Sequence, residues 1–277
     1  MKERRGERET GRRGESETGR VVLNATPLAP SPRRPVSRPS IAGDLRVVLW
    51  DIDGTLLRTR RQGVFKDYTT PVLVRVFGTA GRLHELSVSG MTDLQIVSEA
   101  LRDEGFTAEQ IRGRATELTA LYLEELERLT RGEEVYHALP GAREALEAVE
   151  RRPRYLNSLL TGNVEPAARL KLRLVGLERF FRLPGAFGED SHDRRDLPAL
   201  ARERLSRHLG LDLKPEQLIV VGDTPNDIRC ARHFGARAVA VATGRTYSTA
   251  DLTAHDPDAV LADLTDTELV LRILAGL

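Results

Sequence analysis

The sequence predicts an α/β fold, a doubly wound parallel sheet with a helical domain inserted after its first strand. Three observations support this prediction. An apolar run at residues 47–50 ends in two acids, strand and helix patterns alternate from about residue 137 onward, and a helical segment separates these two regions. We therefore divide the chain into a core of residues 44–63 and 137–277 and a helical cap of residues 64–136.

The first predicted strand leads directly into two carboxylates. The run VVLW at residues 47–50 has the continuous apolar character of a strand that is buried on both faces. Asp51 and Asp53 follow it, where open α/β sheets bind ligands, and Gly54 allows a sharp turn beside them. Asp-x-Asp-Gly is also a common turn sequence. In a site, Asp51 is placed as a nucleophile and metal ligand, and Asp53 as a proton donor and acceptor.

The segment after this motif is predicted to be helical. Residues 92–95 (TDLQ) and 107–110 (TAEQ) both fit the capping box that opens a helix. Apolar residues then recur near helical spacing from Ile111 to Leu129. The insert can close over the acids, and residues 90–93 (GMTD) can then meet a substrate, although helix capping alone also accounts for that sequence.

From residue 139 onward the predicted elements alternate along the chain. The predicted strands are residues 154–160, 181–187, 218–221 and 238–242. The predicted helices are residues 166–175, 197–209 and 225–234, followed by Gly176, Gly210 and Gly235. Glycine directly after a helix is the expected stop. Such alternation indicates parallel strands that are joined by crossover helices.

Polar groups follow two of these later strands. Thr161, Gly162 and Asn163 end the strand 154–160, and a hydroxyl beside backbone N–H groups suits a phosphate oxygen. A simple turn or a helix cap explains these three residues equally well. We predict that they bind the phosphate of a substrate.

A second acidic pair follows the strand 218–221. Asp223 ends this strand, and Asp227 lies in the first turn of the next helix, where an acid is also a common cap. Oxygen ligands without histidine or cysteine suit Mg²⁺. We expect Asp51, the backbone carbonyl of Asp53 and Asp223 to bind the metal, with Asp227 supporting them.

Taken in order, these elements resemble the four motifs of the haloacid dehalogenase superfamily over residues 46–274. The first is DIDGTLL at residues 51–57, and the insert after it makes the chain most similar to the phosphoglycolate phosphatase-like group. The superfamily pattern also expects a cation, normally Lys, between the second and fourth motifs. Arg194 occupies that place, with Arg195 and Lys171 as alternatives, and Arg supplies a permanent charge and a bidentate fork.

The resemblance implies a phosphatase with a Rossmann-like core that uses Mg²⁺ and acts on a small phosphorylated metabolite. Asp51 would attack phosphorus and form an aspartyl-phosphate, while Asp53 would protonate the leaving oxygen and later activate water. A dehalogenase needs no acid at position 53, whereas a phosphomutase resembling beta-phosphoglucomutase shares all four motifs and stays open. A non-catalytic binding module would not need Asp51, Asp53 and Asp223 together.

Composition sets the broad class of protein. The chain has 277 residues, 40% of them hydrophobic and 30% charged, as in ordinary globular proteins. It contains no apolar run of the roughly 18 residues that cross a membrane, and its start lacks the apolar segment of a secretory signal. The single cysteine, Cys230, is expected to pack in the core, and the histidines show no metal spacing. We expect a cytoplasmic protein.

The first 43 residues differ from the rest of the chain. They hold ten Lys or Arg and five Glu, a net charge of +5, whereas the remainder carries −4. Five prolines and no aromatic residue predict a disordered tail. The tail's glutamates and the mildly acidic remainder argue against a nucleic-acid or membrane partner. The sequence does not indicate an oligomeric state.

Overall fold

The computed structural model describes residues 41–277, so residues 1–40 of the predicted tail lie outside the described part of the chain. The strands are β1 (Arg46–Trp50), β2 (Leu57–Thr59), β3 (Tyr136–Ala138), β4 (Tyr155–Leu159), β5 (Leu218–Gly222), β6 (Arg237–Val241) and β7 (Ala259–Leu261). The helices are α1 (Ile41–Asp44), α2 (Val64–Phe77), α3 (Asp93–Ala100), α4 (Ala108–Gly113), α5 (Ala115–Thr130), α6 (Ala142–Glu150), α7 (Glu165–Leu174), α8 (Leu197–Leu209), α9 (Pro225–Phe234), α10 (Thr249–Thr253) and α11 (Thr267–Gly276).

Five parallel strands form the central sheet in the order β4-β1-β5-β6-β7, which confirms the predicted fold class. The three neighbouring strands end at nearly the same level, since Trp50, the last residue of β1, pairs with Leu159 on one side and Val221 on the other. Parallel strands end at a common edge. The residues after β4, β1 and β5 therefore lie side by side, although more than 60 positions of the chain separate any two of them.

The sheet is buried on both faces because each strand contributes side chains to two apolar layers. In β1, Val48 and Trp50 belong to one hydrophobic cluster, and Val47 and Leu49 belong to the other. Side chains alternate between the faces of a strand, so a continuous apolar run satisfies both layers. Helices α6, α7 and α11 cover the first face, and α8, α9 and α10 cover the second.

Helices α2 to α5 form the helical cap, and it joins the core through a two-stranded ribbon. The chain enters the cap through β2 and returns through β3, which pair antiparallel with Arg58 opposite His137. Tyr136 therefore belongs to a strand, not to the end of the predicted helical segment. Cap residues such as Val72, Leu118 and Tyr122 share one apolar cluster with the first face of the sheet.

The prediction of a strand at residues 181–187 is wrong. This segment makes one isolated parallel bridge, between Ala186 and Leu160 at the end of β4. Two features explain why the pairing stops there. Pro184 has no N–H to donate, and the N–H of Phe187 is hydrogen-bonded to the carboxylate of Asp190 at 2.8 Å instead of to a strand.

The predicted helix ends agree with the structure where glycine or a capping box specifies them. Gly210 and Gly235 close α8 and α9 in the left-handed conformation. Thr107 and Gln110 form the complete capping box of α4, whereas at α3 only Thr92 caps the backbone of Gln95. No helix in residues 41–277 has the length and apolar character that a membrane span requires.

Candidate active site

Three carboxylates meet at the carboxyl edge of the sheet. Asp51 follows β1, Asp223 follows β5, and Asp227 lies in the first turn of α9. Each offers an oxygen atom, and these atoms all lie within 4.8 Å of one another. All three side chains are buried. The register of β1 beside β5 explains the meeting, because it brings the residues after Trp50 and Gly222 to the same point.

Two glycines leave room for the Asp223 carboxylate. A Cβ at either Gly54 or Gly244 would overlap its oxygen Oδ2, so neither position accepts a side chain without displacing the acid. Gly54 also has φ +92°, a conformation that L side chains rarely adopt. On the other oxygen, the Thr55 hydroxyl donates to Asp223 Oδ1 at 3.3 Å. Gly54 and Thr55 in the loop after β1, together with Gly244 after β6, thus fix the position of the Asp223 carboxylate.

Asp227 is fixed by the helix that carries it. Thr224 caps α9, and Asp227 Oδ2 accepts from the Thr224 backbone N–H at 3.0 Å and from its hydroxyl at 2.6 Å. This is the reciprocal arrangement of a capping box. The structural and functional interpretations of Asp227 therefore coexist, since one oxygen caps the helix and the other points to the acid cluster.

Arg194 is the cation of this cluster. Its Nη2 donates to Asp51 Oδ1 at 3.0 Å and to Asp227 Oδ1 at 2.6 Å. It projects from a short 3₁₀ turn, Arg194–Asp196, directly before α8, and it is 5% exposed. The adjacent Arg195 is exposed and pairs with Asp193 instead. Of the two neighbouring arginines, only Arg194 contacts the acids.

The electrostatics of the cluster favour a bound cation. Burial raises the pKa of Asp51 to about 7; Arg194 opposes this shift, and Asp227 adds to it. The pKa of Asp223 is raised well above its ordinary value, first by burial and then by Asp51. Three carboxylates share one guanidinium, so the ionised cluster carries an uncompensated charge of −2. A divalent ion with oxygen ligands, such as Mg²⁺, fits this set.

Asp53 belongs to a separate hydrogen-bonded group. Its Oδ2 accepts from Asn163 Nδ2 at 2.7 Å and from Lys171 Nζ at 2.8 Å. Asn163 Nδ2 also donates to the hydroxyl of Thr161 at 2.9 Å, while its Oδ1 accepts from Lys171 at 2.6 Å. The Asn163 side chain is thus engaged by Asp53, Thr161 and Lys171, and its backbone N–H donates to the Thr161 hydroxyl at 3.4 Å. The predicted contact of Asn163 with phosphate would therefore have to displace one of these partners.

The loop after β4 fits closely against the start of the cap helix α3. The carbonyl of Gly162 accepts from the N–H of Asp93 at 2.7 Å, and a Cβ at Gly162 would overlap the carbonyl oxygen of Met91. The carboxylate of Asp93 accepts from the N–H of Val164, the N-cap of α7, at 2.9 Å. The segment at residues 90–93 therefore touches the predicted phosphate loop.

A cavity of about 550 Å³ lies between the cap and the sheet edge. Its core wall holds Asp51, Asp53, Arg194, Lys171 and residues 161–163. Its cap wall includes Phe65, Val88, Met91 and Ile96. This volume is typical of small-molecule sites. The predicted nucleophile, Asp51, and the predicted proton donor, Asp53, therefore line the same cavity.

Some residues at the site were not identified from the sequence. Thr55 lies inside the first motif and could have been found there. Lys171 was considered only as an alternative to Arg194, and its contact with Asp53 depends on the packing of α7. Cys230 packs in the core as expected, and burial raises its pKa to about 12, so it remains a thiol.

Comparison with known proteins places the chain among hydrolases. Residues 45–235 match the family described as haloacid dehalogenase-like hydrolase. A phosphoglycolate phosphatase from Vibrio vulnificus (strain YJ016) is 23% identical over 246 residues, which cover 82% of this chain and 97% of that protein.

Solved structures share the fold. A predicted phosphoglycolate phosphatase from Haemophilus somnus 129PT aligns with a TM-score of 0.56 and 20% identity, over 82% of this chain and 98% of that one. A putative beta-phosphoglucomutase from Thermotoga maritima aligns with a TM-score of 0.50 and 22% identity, over 84% and 100%. Because the family match spans well over half of the sequence, the chain belongs to the haloacid dehalogenase-like hydrolases.

Proposed function

We propose that this protein is a Mg²⁺-dependent phosphatase that hydrolyses a small phosphate monoester through an aspartyl-phosphate on Asp51. One observation carries the proposal. A buried cluster of three carboxylates and one arginine reaches the cavity through Asp51 and Arg194, and the same cavity holds a fourth carboxylate, Asp53, which is half exposed. The first group suits phosphoryl transfer and the second suits proton transfer.

In the first step, Asp51 acts as the nucleophile. One of its oxygens, Oδ1, is held by Arg194, so the other oxygen is available to attack phosphorus. As the new P–O bond forms, the bond from phosphorus to the leaving oxygen breaks, and Asp53 gives that oxygen a proton. The Thr161 hydroxyl and the N–H groups of its loop would orient the phosphoryl oxygens, and Arg194 would offset their charge.

In the second step, Asp53 acts as a base. It is now a carboxylate, and it accepts a proton from a water molecule that attacks the phosphorus of the aspartyl-phosphate. The bond from Asp51 to phosphorus breaks, which releases inorganic phosphate and restores both acids. A single residue thus supplies one proton and recovers one in each cycle.

Asp51, Asp223 and the backbone carbonyl of Asp53 would hold the metal ion. Both oxygens of Asp227 already accept hydrogen bonds from Thr224 and Arg194, so we assign it a supporting role. When bound, Mg²⁺ supplies positive charge that stabilises the transferring phosphoryl group.

We propose a phosphoglycolate-like ester as the substrate class. The similarity to phosphoglycolate phosphatases over most of the chain supports this choice. The acid at position 53 supports an ester over a halide, because an alkoxide leaves more easily with a proton whereas a halide needs none.

Phosphate release tests the proposal. Wild-type protein should release inorganic phosphate from p-nitrophenyl phosphate and from 2-phosphoglycolate with Mg²⁺ but not with EDTA. Asp51→Asn should reduce kcat by about 10³-fold or more, the scale expected when a nucleophile is lost. Asp212→Asn removes an exposed acid that pairs with Arg202 and does not line the cavity, so it should leave kcat unchanged.

Two outcomes would contradict this function. Hydrolysis that persists in EDTA, or an active Asp51→Asn protein, would exclude the proposed mechanism. Transfer of the phosphoryl group from a sugar bisphosphate to a sugar hydroxyl, in preference to water, would identify a phosphomutase instead.

A further inference from the structure

Lys171 is a buried lysine that has no role in the reaction steps proposed above. It lies on α7, where its side chain is 3% exposed, and its Nζ reaches into the cavity beside Asp53. The rings of Tyr68 and Tyr136 lie over the ammonium, with centroids at 5.9 and 5.6 Å. Burying a lysine is costly unless its charge is paired, so such a residue indicates a specific requirement at this point.

The ammonium remains charged in this setting. Its charge is matched by oxygen acceptors, since Nζ donates to Asp53 Oδ2 at 2.8 Å and to Asn163 Oδ1 at 2.6 Å. A lysine side chain is ordinarily a cation at neutral pH, and these contacts favour that form. Lys171 Nζ contacts Asp53, the proposed proton-transfer acid. The proposed nucleophile, Asp51, contacts Arg194 instead.

Both donors to Asp53 converge on the same oxygen. Lys171 Nζ lies 2.8 Å and Asn163 Nδ2 lies 2.7 Å from Oδ2. Asn163 is itself held, because its Oδ1 accepts from Lys171 at 2.6 Å. An oxygen that already accepts two hydrogen bonds cannot also carry the carboxyl proton without losing one of them.

We infer that Lys171 is a positioning residue that, with Asn163, binds Asp53 Oδ2 and so directs the acidic proton to Oδ1 for the leaving oxygen. This inference rests on the proposed function and gives Lys171 a role in the same reaction. When the proton moves from Oδ1 to the leaving oxygen, that oxygen keeps the electrons of the broken P–O bond. Asp53 becomes a carboxylate, and the ammonium stabilises the new charge.

The dependence of rate on the leaving group distinguishes this role from a structural one. An alkoxide leaving group needs the proton, whereas p-nitrophenolate leaves readily without one. The ratio kcat/KM reports only the steps up to departure of the leaving group, so later water attack does not affect it. Lys171→Met should therefore lower kcat/KM far more for an alkyl phosphate than for p-nitrophenyl phosphate.

The experiment compares p-nitrophenyl phosphate with the alkyl ester that the wild type hydrolyses fastest in a panel of small phosphate monoesters. For Lys171→Met we expect kcat/KM to fall about 100-fold on the alkyl ester and only about 3-fold on p-nitrophenyl phosphate, within the range of general acid catalysis. Lys214→Met is the matched control, because Lys214 is an exposed lysine that pairs with Asp212. It should change neither value.

A double-mutant cycle shows whether Lys171 acts through Asp53. In an Asp53→Asn background, Lys171→Met should cause no further loss on the alkyl ester. Thermal unfolding checks that each variant is folded. If Lys171→Met does not fold, Asn163→Ala carries the same test, because it removes the other hydrogen bond to Oδ2.

The outcomes separate the two proposals. Equal losses on both substrates, or additive losses in the cycle, would overturn the role of Lys171 and leave the phosphatase intact. A wild-type protein without metal-dependent hydrolysis would overturn the proposed function, and this inference with it.

Discussion

At the scale of single residues, Arg194 shows how one side chain connects two elements of the site. Its guanidinium reaches Asp51 after β1 and Asp227 in α9 with the same nitrogen. A planar guanidinium offers several donors in a fixed arrangement, which a lysine ammonium does not. Arg194 therefore orients Asp51, the proposed nucleophile, and offsets part of the charge of the acid cluster.

Substitution of Arg194 tests this role. Arg194→Lys keeps the charge but loses the fixed donors, so kcat should fall by about 10²-fold, the cost of losing one positioned donor. Arg194→Met should also destabilise the protein by about 3–5 kcal/mol, because the buried acids lose their partner. Steady-state kinetics and thermal unfolding measure the two effects.

The adjacent arginine provides the control for these variants. Arg195 is exposed and pairs with Asp193, so Arg195→Met should change kcat and the unfolding temperature little. If Arg195→Met were as damaging as Arg194→Met, the contact between Arg194 and Asp51 would not be the cause of the loss.

The sequence favoured Arg194 as the cation of the site but left Arg195 and Lys171 as alternatives. Arg194 and Arg195 are adjacent, yet one is buried against Asp51 and the other faces solvent. The 3₁₀ turn that carries them sets these opposite directions. Lys171 lies in a different helix, and only packing of α7 against the sheet brings it to Asp53. Asp51 and Asp223 were easier to identify, because each directly follows a strand.

At the scale of elements, the site depends on contact between the cap and the core loops. A Cβ at Gly90 in the cap would crowd Thr224 and Asn226 of the core, and a Cβ at Gly162 in the core would overlap the carbonyl of Met91 in the cap. The carboxylate of Asp93, at the start of α3, caps the N-terminus of α7 in the core. This segment of the cap therefore docks on the loop that we propose to bind phosphate.

Gly162→Ala tests the docking of the cap. Its Cβ would overlap the carbonyl oxygen of Met91, so the loop or the cap must move. We expect kcat/KM to fall by about 10²-fold, since misplacement by about 1 Å has that scale of effect. Gly113→Ala is the control, because a Cβ there meets no atom within 4 Å. Equal activity of both variants would show that the close contact at Gly162 is not needed.

The bounds of a helix or strand could be predicted from the sequence where nearby residues specify them. Helices α8 and α9 end at glycines in the left-handed conformation, so their bounds follow from the sequence. The β2–β3 ribbon was missed because its strands have three residues each and the cap lies between them. Short strands that pair across such a distance leave little local pattern.

At the scale of the whole molecule, the acid cluster should link stability to pH. Asp51 has a pKa of about 7 when folded and an ordinary value of 3.8. Between these values the folded state holds a proton that the unfolded state has lost. The free energy of unfolding of the metal-free protein should therefore fall as the pH rises from 4 to 7.

Thermal unfolding in EDTA between pH 5 and pH 8 measures this effect. The unfolding temperature of the wild type should decrease more steeply than that of Asp51→Asn, and Mg²⁺ should raise the wild-type value most above pH 7, where the acids are ionised. Identical slopes for the two proteins would show that Asp51 does not couple stability to pH.

Removal of residues 1–40 should preserve activity. The family match begins at residue 45, and the proposed site residues lie between Asp51 and Asp227. We expect kcat and KM of the shortened protein to stay within about 2-fold of the full chain, because the composition of the tail predicts that it is disordered. A large loss of turnover would instead assign the tail a role in catalysis.

The sequence by itself determined the parallel α/β fold and the acids at the ends of β1 and β5, because strand burial and helix stops are local patterns that repeat along the chain. Only the tertiary structure decided which cation serves which acid. Arg194 reaches Asp51 and Lys171 reaches Asp53 through contacts that span 143 and 118 positions of the chain. Such pairs depend on the directions in which packed elements point their side chains, and no local pattern encodes those directions.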